Sequence, residues 1–372
     1  MRFFEYGDEK IGGKEIMIAV PSMVIGVGVL SLPRGVSIET IGSDGWMALT
    51  TAGGIALLMV WLMARLASAF PHQSFLSYAS IIVTKPVAVV LTFLFAILFI
   101  SVAAYDIRAL GHISQQYLFD HTPVEVVILA FLLVVIYAVS GSRAGLFRLN
   151  MLFLPIIIVI IALVLIINLK WFDPTNLLPV FQTDFSGYLK ATHTSSLSYM
   201  GIGIVLFYIA FVDQPKKAPK MVLLGMSIPI VMYVLVYLTC LMVFGFTATS
   251  HLLFPTIDLA KRVELPGGIL ERFEAIFFVV WTMGVFNTTV MAFDVVILAL
   301  NSIFKKMKKI NLIFILSPLI YYVALFPRDT GQILLFGEFI GTYMVSFAFI
   351  TTIVLLVIAK IRGVMPDGKT NT

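Results

Sequence analysis

"VIGVGVLSLP", residues 24–33, interrupts an apolar run that is otherwise long enough to cross a bilayer. Two glycines one residue apart, followed by a proline, weaken a helix at the depth where lipid offers no replacement hydrogen bonds. Such a break survives only where the freed backbone groups line a cavity or meet a ligand. The stretch therefore predicts a first span that unwinds at 24–28, its second half beginning with free N–H groups on Gly26, Val27 and Gly28. These form a small positive pole suited to a carboxylate, and glycine removes side chains that would block approach.

The surrounding chain sets the class. Its 372 residues are 60% hydrophobic and 12% charged, with a mean hydropathy of +1.03, which excludes a soluble globule and predicts a polytopic membrane protein. Apolar runs of about 20 residues begin near Gly13, Trp46, Pro86, Val124, Leu146, Thr194, Met221, Ile269, Asn311 and Gln332. Ten spans with short connections predict a single transmembrane domain over 1–372. The first residues, MRFFEYGDEKIGGKE, lack the apolar core and cleavage site of a secretory signal. Alternating the loops places 17 Lys and Arg on the N-terminal side against 8 opposite, so both termini are expected in the cytoplasm. The bases are dispersed, so the net charge of +5 reflects topology and not a nucleic-acid partner. The single cysteine, Cys240, provides neither a disulfide nor a thiolate metal site.

Ten spans divide as five plus five, and an odd half forces the second to enter from the opposite face, an inverted repeat over about 13–168 and 193–360. The sixth span opens that second half and carries the matching doublet, "SYMGIGIVLFYIAF", 198–211. Close helix packing through glycine uses a spacing of four, whereas both doublets are spaced by two. The expected fold is all-α, with broken helices 1 and 6 at equivalent places. The sixth span runs the other way, so its break frees carbonyls at 197–200, a negative pole suited to an ammonium. Leu197, Tyr199, Gly201, Ile202 and Gly203 are its candidate site residues. The two poles match a zwitterion such as an amino acid, and a neutral polyol or nucleoside is compatible with the same groups.

Two further spans add candidates. Ser101, Tyr105, Arg108 and His112 share one face of the third. Ser101 and Tyr105 fall near mid-depth, Tyr105 being equally well explained by packing, while Arg108, beside Asp106, and His112 read as interfacial. On the eighth, Asn287, Asp294 and Asn301 recur every seven residues and Thr288 and Thr289 adjoin the first, a polar stripe that must face the bundle. Asn287 and Thr288 join the site; Asp294 either carries a proton or ion or makes a helix–helix hydrogen bond, and Glu338 has the same alternatives nearer the outside. The five histidines lie in loops or at span ends without metal-ligand spacing, and neither a Walker loop nor a catalytic cluster occurs. No enzyme and no cofactor are expected.

"SYMGIGIVLFYIAFVDQPKKAPKMV", 198–222, resembles the sixth span and following loop of the amino acid-polyamine-organocation transporters. Pro215 and Pro219 match that superfamily's paired prolines, while Asp213 and Gln214 depart from its acidic and Asn positions. More narrowly, "AFPHQSFLSYASII", 69–82, and "DPTNLLPVF", 173–181, resemble loops of the spore germination permease family, the B subunits of endospore nutrient-germinant receptors. The resemblance implies a leucine-transporter-type fold in the cell membrane or inner spore membrane, sensing a small nutrient such as an amino acid. It implies a receptor A subunit and a C-subunit lipoprotein as partners, besides membrane lipid. It puts carboxylate contacts on Gly26, Val27 and Gly28 and pocket contacts near Tyr105, Ile202 and Thr288. Some members of the fold hold sodium at positions matching Ser22, Ile25, Thr288 and Thr289; others use a fifth-span lysine, absent from the membrane part here. The competing expectation is a proton- or sodium-coupled amino acid transporter with Asp294 as the coupling residue.

Overall fold

The computed structural model describes residues 10–119, 121–263 and 273–365. The chain runs through α1 (Gly13–Val24) and α2 (Gly28–Glu39), α3 (Gly45–Ser68), the short α4 (Phe75–Ile82), α5 (Lys85–Tyr117), α6 (Val124–Ser140) and α7 (Arg143–Asn168). It continues through α8 (Phe185–Leu197), α9 (Val205–Tyr208) between 3-10 turns at Ile202–Ile204 and Ile209–Phe211, α10 (Ala218–Phe244), and the short α11 (Phe246–His251) and α12 (Pro255–Lys261). Last come α13 (Phe273–Ile303), α14 (Lys309–Ala324) and α15 (Thr330–Ile361). No strand occurs among the described residues; an isolated parallel bridge joins Ile11 to Val212. The expected start of the eighth span near Ile269, and Arg2, Arg272 and Lys369 of the charge asymmetry, lie outside the described residues.

Six segments are long and apolar enough to cross a membrane alone: α3, α5, α7 extended to Trp171, α10 extended back to Pro215, α13 and α15. Two more qualify only as bent pairs, α1 with α2 at 55° and α8 with Ile202–Phe211 at 52°. The remaining apolar helices, α6 and α14, have 17 and 16 residues, short of the about 20 a perpendicular crossing needs. The two bent pairs take the first and sixth places in chain order and the two short helices the fourth and ninth. Both irregularities thus fall at equivalent positions of two five-helix halves. The second half begins earlier than its apolar run suggests, because Asp184 caps α8 by accepting from the Gly187 N–H at 3.0 Å, starting a polar first turn.

The chain is multi-pass and inside-out in polarity. Val126, Leu133 and Val134 of α6, Phe314 and Ile315 of α14, and Leu335, Phe339 and Ile350 of α15 are exposed, as lipid-facing positions require. Asn287, Thr288, Thr289 and Asp294 of α13 are buried instead. The eighth-span stripe faces the bundle over that stretch and ends at the exposed Asn301.

The prolines of the first span show how irregular backbone is accommodated. Pro33 cannot donate to the carbonyl four residues back, on Val29. The Thr256 hydroxyl of α12 donates to that carbonyl at 2.8 Å, so a connecting helix repairs the bond that α2 lacks. Pro21 likewise frees the carbonyl of Met17, which presses on Gly225 of α10 so closely that a Cβ there would overlap that oxygen.

Candidate functional site

The α1–α2 break is one tight turn. The Ile25 N–H makes the last helical bond, to Pro21, and the Gly26 N–H turns back to Val24 at 3.0 Å. The N–H groups of Val27, Gly28 and Val29, at the start of α2, find no acceptor within the described chain. The expected positive pole is therefore shifted by one residue: Gly26 spends its donor in the turn. Two carbonyls of the break are held by neighbouring spans, Val24 by the Tyr233 hydroxyl of α10 at 2.9 Å and Gly26 by the Trp281 indole N–H of α13 at 3.1 Å.

The second break follows α8. Met200 N–H donates to the Leu197 carbonyl at 3.1 Å, and Tyr233 reaches the Ser198 carbonyl at 3.4 Å. The carbonyls of Tyr199 and Met200 receive no hydrogen bond, so the negative pole is narrower than the expected 197–200. Gly201 turns the chain at φ +92°, a conformation side chains disfavour. A Cβ on Gly201 would also strike Met23 of α1 at 2.6 Å, and one on Gly28 would stand 3.3 Å from the Ser198 Cα. The two breaks therefore interlock, and the glycines are what let them touch.

Between them lies a narrow cavity with room for about one water, lined by Met23, Val24, Gly26, Val27, Gly28, Val102, Asp106, Ser198, Met200 and Thr288. It contains the first-span candidates Gly26, Val27 and Gly28 and the eighth-span candidate Thr288. A Cβ on Gly26 would meet the Thr288 Cγ2 at 2.9 Å, so the first break rests directly on α13. The Asp106 Oδ2 of the lining has no hydrogen bond, nor do Ser22 Oγ, Tyr199 OH and Asn287 Nδ2 on residues adjoining the lining in the chain.

Other sequence candidates lie elsewhere. Ser101 donates to its own helix at Ile97, and Tyr105 packs its ring on Gly337 of α15, where a Cβ would come within 2.6 Å. Leu197 faces Gly341 of α15, Gly203 faces Met344 of the same helix, Ile202 is buried beside it, and Tyr199 pairs with the Tyr233 ring at 5.5 Å. Thr288 and Thr289 both donate to the Val285 carbonyl, at 2.9 and 2.7 Å, and the Ile25 carbonyl lies against Gly284. Arg108 is buried, with its guanidinium donating to the Arg328 carbonyl at 3.1 Å, and does not reach into solvent as an interfacial residue would; His112 is half-buried and meets Thr330 at 2.8 Å. Glu338 is exposed.

Reading residues by helical face missed Asp106 by grouping it with Arg108 near the outer surface. One position past Tyr105 turns a helix by about 100°, which takes Asp106 off the Tyr105 face and into the cavity. Tyr233 and Trp281 were missed because nothing local distinguishes a packing aromatic from one whose polar tip holds a distant carbonyl.

Asp294 lies off the cavity. It pairs with Arg143 at the start of α7, Nε to Oδ2 at 2.9 Å, and accepts from the Tyr208 hydroxyl of α9 at 3.1 Å. The Arg143 guanidinium also lies over the Phe211 ring, 4.4 Å from its centre. Beside this cluster the Ile11 N–H donates to the Phe211 carbonyl, and the Ile11 carbonyl accepts from the Asp213 N–H. On the other side Asp44, between α2 and α3, accepts N–H groups from Phe181, Gln182 and Thr183, the last two at 2.8 Å. Burial pushes the Asp44 carboxyl up, but these donors more than reverse it and hold it below its usual value. Among the described residues no three His, Cys, Asp or Glu side chains group as a metal site.

The paired breaks agree with the comparisons. The family model for spore germination proteins of the permease type matches residues 10–333. The chain belongs to the spore germination protein family. It is similar to spore germination protein GerLB of Bacillus cereus, at 40% identity over 97% of each chain. It is also similar to spore germination protein YndE of Bacillus subtilis (strain 168), at 28% identity over 95% of this chain and 97% of that one. Among solved structures it resembles MhsT in complex with L-phenylalanine, with a TM-score of 0.66, 12% identity, and coverage of 93% of this chain and 98% of that one. That likeness is one of fold, the leucine-transporter type. The family is one of permease-like membrane proteins and not of enzymes.

Proposed function

We propose that this family member is the ligand-sensing integral-membrane subunit of a nutrient-germinant receptor, binding a small nutrient, most simply an amino acid, where the two breaks meet. The observation that carries this reading is the cavity itself. The free N–H groups of Val27 and Gly28 and the free carbonyl of Met200 belong to residues that line it, with the Tyr199 carbonyl in the same break. Opposite main-chain poles around a small apolar space suit a zwitterion. Binding would bias the bundle between states by its differential affinity for them. The output would pass to an A subunit and a C-subunit lipoprotein in the inner spore membrane, with both termini on the core side. The proposed inverted repeats, about 13–168 and 193–360, act as the two moving parts of one domain.

The test measures binding of radiolabelled amino acids to purified protein, uptake by reconstituted vesicles, and germination of spores lacking the gene. Binding without concentrative uptake, together with loss of nutrient-triggered germination, is the expected result. Concentrative uptake without partner subunits refutes a purely receptive role.

A second reading, a sodium- or proton-coupled amino acid transporter, has one observation in its favour. The Ser22 hydroxyl is buried without a partner, and Thr288 and Thr289 spend their protons on one carbonyl, leaving oxygen lone pairs for a cation. In that reading Ser22, Ile25, Thr288 and Thr289 hold the ion, and Asp294 would have to exchange its arginine to carry a proton. Sodium-dependent accumulation in vesicles decides for it.

A further inference from the structure

Among the described residues the membrane part buries two carboxylates, and they are treated differently. Asp294, fully buried, has Arg143 and Tyr208. Asp106, 2% exposed at mid-length of α5, has no ion-pair partner, and its Oδ2 has no hydrogen bond. Arg108, two residues on, does not serve it: two steps along a helix point about 200° apart, and the guanidinium reaches the Arg328 carbonyl through one terminal nitrogen while its Nε has no partner. A carboxylate buried in a bundle without a cation is costly, and such groups mark ligand or ion positions. Asp106 lines the cavity between the breaks.

The lining is unbalanced in a way that identifies the missing group. The Thr288 hydroxyl meets both the Val285 carbonyl, at 2.9 Å, and the Asp106 carboxyl, and its single proton serves only one of them. With Asp106 Oδ2 and the unclaimed carbonyl of Met200, acceptors prevail on that side. The main-chain donors, the N–H groups of Val27 and Gly28, are confined to the start of α2, and the Ser198 hydroxyl of the lining can donate or accept. An ammonium brings three donors and a positive charge to such a set.

Resting on the reading of this cavity as the ligand site, we propose that Asp106 is a ligand-binding residue, the counter-ion of a protonated amine. The geometry has a consequence for the class of ligand. Because the chain supplies its own carboxylate beside the positive pole of α2, the amine is the required group and the ligand's carboxylate is dispensable. Small apolar primary amines and amino acid amides belong to the ligand class; carboxylic acids without the amine do not.

The test uses the full-length protein in detergent and equilibrium binding of L-alanine, L-valine and L-leucine, their amides, and the corresponding deaminated acids. Wild type is expected to bind the amides within about tenfold of the amino acids and the deaminated acids at least about 100-fold more weakly. Asp106→Asn, of the same shape, is expected to lose about 10- to 100-fold in affinity for amino acids and amides alike, at an unchanged unfolding midpoint. Wild type that binds the amino acids but neither amide nor amine overturns the proposal, and this arm needs no variant. Asp106→Asn with wild-type affinities overturns it while leaving the site in place. A loss in Asp106→Asn that wild type reproduces when potassium replaces sodium assigns the carboxylate to a metal cation and also overturns it. Wild type that binds none of the amine-bearing probes removes the underlying site as well.

Discussion

Arg143 and Asp294 lend themselves to a quantitative test because their geometry is close and both are buried, at 6% and 0% exposure. The contact is two-pronged, 2.9 Å from Nε and 3.4 Å from the terminal nitrogen, and Tyr208 adds a third bond to the carboxylate. With charge centres about 4 Å apart and an effective dielectric near 20, the attraction is about 4 kcal/mol before desolvation. Removing one partner leaves the other charge buried, at a cost of about 3–5 kcal/mol. Asp294→Asn and Arg143→Gln should each lower stability by that amount, and the double variant by clearly less than their sum, a coupling of about 2 kcal/mol. The assay is denaturant unfolding in detergent micelles, compared through midpoints at constant slope. Single losses under about 1 kcal/mol, or an additive cycle, refute the pair as a lock between α7, α9 and α13. The pH profile of the ligand response separates two roles: a structural pair leaves it unmoved, whereas a shift in Asp294→Asn makes the carboxylate a coupling group.

Further outcomes follow from particular contacts. Gly26→Val and Gly28→Val put side chains against Thr288 and Ser198, where a Cβ alone stands at 2.9 and 3.3 Å; each should abolish the ligand response at normal protein levels, at about 1–3 kcal/mol of overpacking. A normal dose response from both variants removes the site. Tyr105→Ala should cost about 3–5 kcal/mol in unfolding experiments, because the ring fills the space on Gly337; altered ligand preference at unchanged stability would instead place Tyr105 at the ligand. Asp44→Asn tests the outer cap. The wild-type carboxyl titrates lower folded than unfolded, so its contribution is complete above the unfolded value of about 3.9 and is lost as pH falls through the folded value. The stability difference between wild type and Asp44→Asn should therefore be present near neutrality and shrink in acid; a difference independent of pH refutes the charge-assisted cap.

Much of the architecture is legible in the chain because a bilayer imposes two strict rules, span length and complete backbone hydrogen bonding. Those rules make a glycine doublet within a long apolar run informative, and "VIGVGVLSLP" and "SYMGIGIV" suffice to place both breaks. Connecting elements obey neither rule, so α4, α11 and α12, and the repair of Val29 by Thr256, left no trace in hydropathy.

The sequence by itself determined where the helices must fail and that the failures are paired, since backbone chemistry depends on local residue type. Only the tertiary structure decided which freed groups stay free. Gly26 spent its N–H in a turn, and Tyr233 and Trp281 claimed two carbonyls across 209 and 255 residues of chain. It also decided which buried acid has a cationic partner: Asp294 meets Arg143 from 151 residues away, and Asp106 faces the cavity with Thr288 beside it and no cation. Pairing of charges depends on distances between elements, and a linear pattern carries the face of each helix but not what stands opposite it.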